Sequence, residues 1–270
     1  MCRSGNQGKK GDDIVLERRF MKRILGIALI MFTTQLLAQS AIPAGTILPV
    51  RLNSSLNSRK TKPGHLITAR LMQDVRVSSG SKIHAGAKVV GHVVDVRRQN
   101  GAGVAQVSVR FDNLVVSGRK ISVTTSLRAL ASMMTVEGAQ IPDFGPDRGT
   151  PEDAWTTDQI GGEVVYRGGG PVANGLRSVG QPTSNGVLVR PSAEPGTECR
   201  GSVEGNDQPQ ALWLFSSDAC GAYGFPDLVI VHAGRSSPVG EITLASNHGS
   251  VNVRAGSGML LRVDSSDSLE

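Results

Sequence analysis

A mainly β protein is what this sequence predicts, and three observations predict it. Short valine-rich apolar runs recur along the chain, and a branched β-carbon suits a pleated sheet. Turn signals punctuate the runs of the first half: Lys62-Pro63-Gly64, Ser79-Gly80, Asn100-Gly101 and Ser117-Gly118. In Gln106–Phe111 the residues alternate, so that Val107, Val109 and Phe111 face a core while Ser108 and Arg110 face outward. The architecture expected is a small barrel-like N-terminal module, a Gly/Pro-rich loop region and a second β module.

The chain opens with a polar, aperiodic stretch, residues 1–20, read as upstream read-through or an unstructured head. Met21-Lys22-Arg23 then precedes the apolar run Ile24–Phe32, and the stretch closes on Leu37-Ala38-Gln39-Ser40. A basic head, a short apolar centre and small residues at a cut site make a secretory signal peptide over 21–40. The apolar run is shorter than the roughly 20 residues that a membrane-spanning helix needs. Export to the periplasm, cell envelope or medium is therefore expected.

Residues 41–128 are expected to form the barrel-like module, with strands at Thr46–Leu52, Leu66–Val77, Lys88–Val96, Val104–Leu114 and Lys120–Ser126. Strands of this length joined by short turns suit a closed or half-closed barrel, because closure removes bare edges. Residues 129–200 hold Gly161-Gly162, Gly168-Gly169-Gly170 and repeated prolines, and read as a linker. One short helix is expected there, near 151–160, with Thr150 as its cap and Pro151 in its first turn. Residues 201–263 return to β, with strands at Gln210–Phe215, Leu228–His232, Glu241–Ala245, Ser250–Arg254 and Met259–Val263. An acidic tail, 264–270, is expected to fray.

Three segments share a device: Ala44–Leu52, Ala85–Val93 and Ala255–Val263 each begin Ala-Gly and run into an aliphatic strand. Glycine accepts the positive φ of a tight turn, so these positions are predicted to be left-handed turns feeding strands.

Charge divides the chain. The net charge of the whole is +6. Within Ala41–Arg128, however, the acidic side chains are Asp74, Asp95 and Asp112 alone among many Lys and Arg, whereas Ala129–Glu270 is acidic. The asymmetry permits three readings: a basic module that meets an anionic partner, two halves that neutralise each other, or a solvated surface. Arg59, Lys60 and Lys62 cluster in the longest loop of the basic half and are the candidate contacts for an anionic envelope polymer or membrane surface. Other envelope proteins are further candidate partners. Nucleic acid is disfavoured, since the basic half holds one aromatic, Phe111, and so lacks stacking residues for single strands.

After the proposed cut two cysteines remain, Cys199 and Cys220. An even count in an exported chain favours a disulfide between them, worth roughly 3 kcal/mol in the chain-entropy model. A zinc pair with His232 or a nucleophilic thiol beside it are the alternatives.

From Pro43 to Val96 the order PAGTILPVRL, Lys62-Pro63-Gly64, ITARLMQDVRV and KIHAGAKVVGHVVDV resembles the β-barrel domain of the TrbI/VirB10 family of conjugation and type IV secretion systems. Ala69-Arg70-Leu71 to Val75 and Ile83-His84-Ala85-Gly86 to Gly91 stand in the family's strand motifs, and Val107–Leu114 in its following strand. The resemblance covers about a third of the chain, residues 42–114, and implies a related barrel module. The family's inner-membrane helix and Pro-rich spacer are not matched here.

Signatures of chemistry are sparse. His65, His84, His92, His232 and His248 form no metal-ligand spacing, and no Gly-x-Ser-x-Gly elbow occurs. Arg167-Gly168-Gly169-Gly170 lacks the Lys-Ser/Thr of a phosphate loop. No catalytic residue, metal or cofactor is therefore predicted. The favoured function is a non-enzymatic binding or scaffolding role in the envelope. The alternatives are a wall- or polysaccharide-acting hydrolase, using Glu152 and Asp153 or Glu204 and Asp207, and a subunit of a secretion-like assembly. Trp213, Phe215, Tyr223 and Phe225 are read as core residues of the second module or as a ligand face.

Overall fold

The computed structural model describes residues 42–77, 81–101, 103–142, 156–166, 170–192 and 208–267. The signal peptide, residues 151–155 of the expected helix, Cys199 and both carboxylate pairs lie outside them. In chain order the first strands are β1 (Ile47–Leu52), β2 (Leu56–Asn57), β3 (Leu66–Leu71), β4 (Val75–Arg76), β5 (Lys82–Ile83), β6 (Lys88–Arg97), β7 (Ala105–Val116) and β8 (Arg119–Ala131). Helix α1 (Met133–Gly138) follows, then the short strands β9 (Thr156–Asp158), β10 (Val164–Tyr166), β11 (Val172–Asn174), β12 (Arg177–Thr183), β13 (Gly186–Val189) and β14 (Gln210–Ala211). The remaining strands are β15 (Gly221–Tyr223), β16 (Leu228–Ala233), β17 (Ile242–Ser246), β18 (Asn252–Val253) and β19 (Gly258–Ser266).

Six strands close a barrel in the order β8, β19, β1, β3, β6, β7 and back to β8. Alternation decides what fills it: Val107, Val109 and Phe111 of β7 and Met259, Leu261 and Val263 of β19 are all buried in the interior. Gly91 of β6 stands opposite Phe111, and a side chain there would collide with the backbone carbonyl of Arg110. Polar Ser108, predicted to face outward, is buried because β17 covers it, and its hydroxyl meets that of Thr243 at 2.7 Å.

The Ala-Gly device behaves as its sequence implies. Gly45, Gly86 and Gly256 have φ of 84°, 90° and 94°. Each amide donates to a neighbouring strand: Gly45 to Val263 O at 2.8 Å, Gly86 to Leu71 O at 2.7 Å and Gly256 to Leu52 O at 2.7 Å. The turns therefore lace the barrel's rim as well as start β1, β6 and β19.

A second, six-stranded sheet is a meander running β9 to β14. It packs on outward-facing residues of the barrel, Ile47, Ala129, Ala131 and Leu260, through Val165, Val187 and Phe215. Strands β1 and β19 are consequently buried on both faces. Buried Gln73 pins the two layers: its Nε2 donates to Val187 O at 2.8 Å and its Oε1 accepts the Trp213 amide at 2.7 Å.

Several expectations need correction. The C-terminal strands do not form a separate module: β19 lies between β1 and β8, where its buried Met259, Leu261 and Val263 join the barrel interior, and β17 pairs with β7. The expected linker holds the meander, and Thr156–Asp158, expected in a helix, is a strand paired to β10. Gln210–Phe215 is strand only at Gln210–Ala211, beyond which the chain turns with Trp213 at φ 53°. Asp264–Ser266, expected to fray, belong to β19, and Ser265 and Ser266 pair with β8 beyond a bulge at Asp264.

Candidate functional site

The barrel's seam builds a concavity. Strand β7 pairs with β8 only through residues 113–116, opposite 119–122, while its first half pairs with β17. Strand β8 takes β15 as a parallel partner at 129–131. Between these two pairings the strands splay, and β16 runs past the gap as the outer neighbour of β17. The resulting cavity is about 720 Å³, within the roughly 300–1,000 Å³ range of ligand pockets.

Arginines from three elements reach it: Arg128 of β8, Arg262 of β19 and Arg235, just after β16. Arg128 is buried, and its guanidinium donates to three backbone carbonyls: Ala219 O at 3.0 Å, Ser217 O at 2.8 Å and Ser192 O at 3.3 Å. Burial, helped by the nearby positive charge of Arg235, lowers its pKa to about 10. It still carries its charge at neutral pH. Arg262 donates to Asp264 Oδ1 at 2.6 Å, and Ser126 Oγ reaches the same oxygen at 3.0 Å. Asp264 and Asp218, which also acts on Arg128, offset part of the positive charge.

Beneath Arg128 lies a buried carboxylate. Glu163 accepts the Ser217 amide at 3.0 Å and the Ser217 hydroxyl, while Ser217 O receives Arg128. Desolvation raises the pKa of Glu163 above 4.5, against the two Ser217 hydrogen bonds that lower it. A group with a raised native pKa binds protons more tightly in the folded state, so its stabilising effect is complete below pH 4.5 and fades as pH rises through the native value. Melting temperatures measured from pH 4.5 upward should therefore fall with pH more steeply in the native chain than in Glu163→Gln. Parallel curves would show that Glu163 does not carry the effect.

The sequence-predicted residues sit elsewhere. Arg59, Lys60 and Lys62 are exposed in the loop between β2 and β3, which Asn57 organises by accepting the Arg59 amide at 2.8 Å and the Lys60 amide at 3.1 Å. None of the three lines the seam cavity. Arg110 of the basic half pairs with Glu241 of the acidic half at 3.7 Å.

The suspected Cys220–His232 pair is not supported by geometry. The His232 ring is engaged in its own turn, with Nε2 2.9 Å from Ser237 O and Nδ1 3.1 Å from the Gly234 amide. Nδ1 also lies 3.0 Å from Glu241 O. Trp213 and Phe215 are buried in the second core, and the Tyr223 hydroxyl accepts the Cys220 amide at 3.0 Å. Phe225 packs on the main core and also lines the seam cavity. Among the described residues no cluster of His, Cys, Asp and Glu could hold a metal, and no helix is long and apolar enough to cross a membrane.

A closed antiparallel barrel with a cationic seam is thus the class of molecule that the geometry defines. No family model and no curated protein sequence matches this chain.

Proposed function

We propose that the chain is an exported, non-enzymatic envelope protein that works by binding an anionic partner. The observation that carries this reading is the convergence of Arg128, Arg235 and Arg262 on one cavity from three separate elements. Guanidinium groups suit carboxylate or phosphate oxygens, and a cavity shields the contact from screening. The leader-like segment 21–40 supports export. The even number of cysteines after the leader-like segment supports a Cys199–Cys220 bridge. Fractionation of the native protein with non-reducing mass analysis tests the compartment and the bridge together. An intact cytosolic chain with free thiols would refute both.

The exposed basic loop supplies a second, weaker contact in this reading. Replacing Arg59, Lys60 and Lys62 with Glu should reduce attachment to envelope fractions at low salt. The difference from the native chain should close toward about 1 M salt, where the Debye length is about 3 Å. Equal attachment of the two chains at every salt concentration would exclude the loop. The motif order in the sequence over residues 42–114 resembles the barrel domain of TrbI/VirB10 proteins, and co-purification with secretion components tests membership of such an assembly.

A further inference from the structure

We propose that the outer wall of the barrel carries a binding track for a linear, carboxylate-bearing polysaccharide, formed by a row of cations that runs from Arg51 across Arg70 and Lys88 to Lys120. The track is separate from the seam cavity, which none of these four residues lines, and does not depend on its arginines.

Strand register builds the row. Arg51 of β1 stands opposite Arg70 of β3, and Arg70 opposite Lys88 of β6. Lys88 stands opposite Val115 of β7, and Val115 opposite Lys120 of β8. The adjoining Ala69, Val89, Leu114 and Ile121 are in the main core, so by strand alternation the row faces outward. Arg70, Lys88 and Lys120 are exposed and Arg51 is half-buried. The Leu71 amide donates to Ala87 O and the Val93 amide to His65 O. Arg70 and Lys88 are therefore a non-hydrogen-bonded pair, the kind that brings side chains closer together. Like charges set directly opposite cost stability. Among the described residues, none of the four cations makes an ion pair or a side-chain hydrogen bond that would offset this cost. The carboxylates of the basic half are engaged by other groups: Asp74 by Lys82 at 2.7 Å, Asp95 by Arg97 at 3.2 Å and Asp112 by His92 at 2.8 Å.

The surroundings select the class of anion. One pleat along, the same face presents Thr68, Asn113 and Ser122 around Val90. These are neutral hydrogen-bonding side chains, suited to sugar hydroxyls between the charges. The row crosses five of the six barrel strands and so follows a curved wall, which a flat lipid surface or a stiff duplex touches only locally. Strands β1, β3 and β6 are paired on both edges, so the wall offers no main chain to an acidic peptide. Neither row contains an aromatic side chain to stack a base.

The probe is polygalacturonate, titrated into the full chain and followed by calorimetry at low salt. Its methyl ester, polyglutamate, phosphatidylglycerol vesicles and duplex DNA are the comparisons. The expected result is saturable binding of polygalacturonate, tighter than of any comparison and fading as salt is raised. Arg70→Gln/Lys88→Gln should weaken it about tenfold. Arg97→Gln/Arg98→Gln, an equal loss of charge at the far end of β6, should weaken it by less than about twofold. The first of these double variants removes a like-charge pair and should melt no lower than the native chain. If it does melt lower, Lys120→Gln, near the exposed Ser117-Gly118 turn, tests the row instead and should weaken binding about threefold. Equal loss from both double variants, or equal binding of the methyl ester, overturns the track. Tighter binding of polyglutamate, vesicles or DNA assigns the row to that class and overturns it too. Binding that survives the row variants but falls with Arg235→Gln overturns the track and leaves the anionic-partner reading of the seam standing; no binding of any anion removes both.

Discussion

A chain ended at Ser257 is expected to lose the barrel altogether. Strand β19 is the only element between β1 and β8, paired with β1 from Ile47 to Arg51 and with β8 from Val123 to Ala131. Its Met259, Leu261 and Val263 fill the interior, and Leu260 enters the second core. Burying four such side chains contributes roughly 6–12 kcal/mol, comparable to the whole stability of an ordinary domain, about 5–15 kcal/mol. Thermal unfolding followed by circular dichroism should show no cooperative transition, and limited proteolysis should leave no resistant core. An independent N-terminal module would behave otherwise, with residues 41–128 surviving as a protected fragment. That fragment would overturn the single-barrel topology.

Phe111→Ala is expected to cost about 3–5 kcal/mol, the range for a large aromatic removed from a packed core. Phe111 is 1% exposed and is the largest side chain inside the barrel. Its register partner Gly91 has no side chain, and the carbonyl of Arg110 lies against it, so the backbone there is not free to collapse into the vacated space. Urea midpoints measure the loss, and a cost under about 1 kcal/mol would mean that the interior relaxes freely. Phe225→Ala is the comparison, since Phe225 is only partly buried at the cavity wall.

What the sequence revealed follows from the range over which each signal acts. Alternation in Gln106–Phe111 and the Ala-Gly turns are local: the turns and the inward Val107, Val109 and Phe111 are found where the residues place them, whereas Ser108 is buried by the non-local pairing with β17. Strand β19 was recognisable from Met259–Val263, but its position beside β1 was not, because pairing across the whole chain leaves no mark on the neighbouring residues. The meander was mistaken for linker because β9, β10 and β11 span three residues each, too few to show a period, and lie among glycines. Helix α1 was missed for a similar reason: one of its residues, Val136, is buried, and its cap is Ser132 without the acidic partner that would flag it. The seam was illegible altogether. Arg128, Arg235 and Arg262 are ordinary isolated arginines until the barrel's splay brings them to one cavity. The basic loop at Arg59, Lys60 and Lys62 stood out because its charges adjoin in sequence, whereas the arginines of the cavity are neighbours only in space.

The pairing of β1 with β19 also governs when this molecule can become itself. Contacts that join residues near 50 to residues near 260 must wait until the chain has been synthesised past residue 260, and wide loop closures of this kind are slow. During that interval the nascent chain has strands without a cylinder. It stays threadable by any conduit that admits only an unfolded polymer, and its aliphatic runs stay uncovered until the ring is joined.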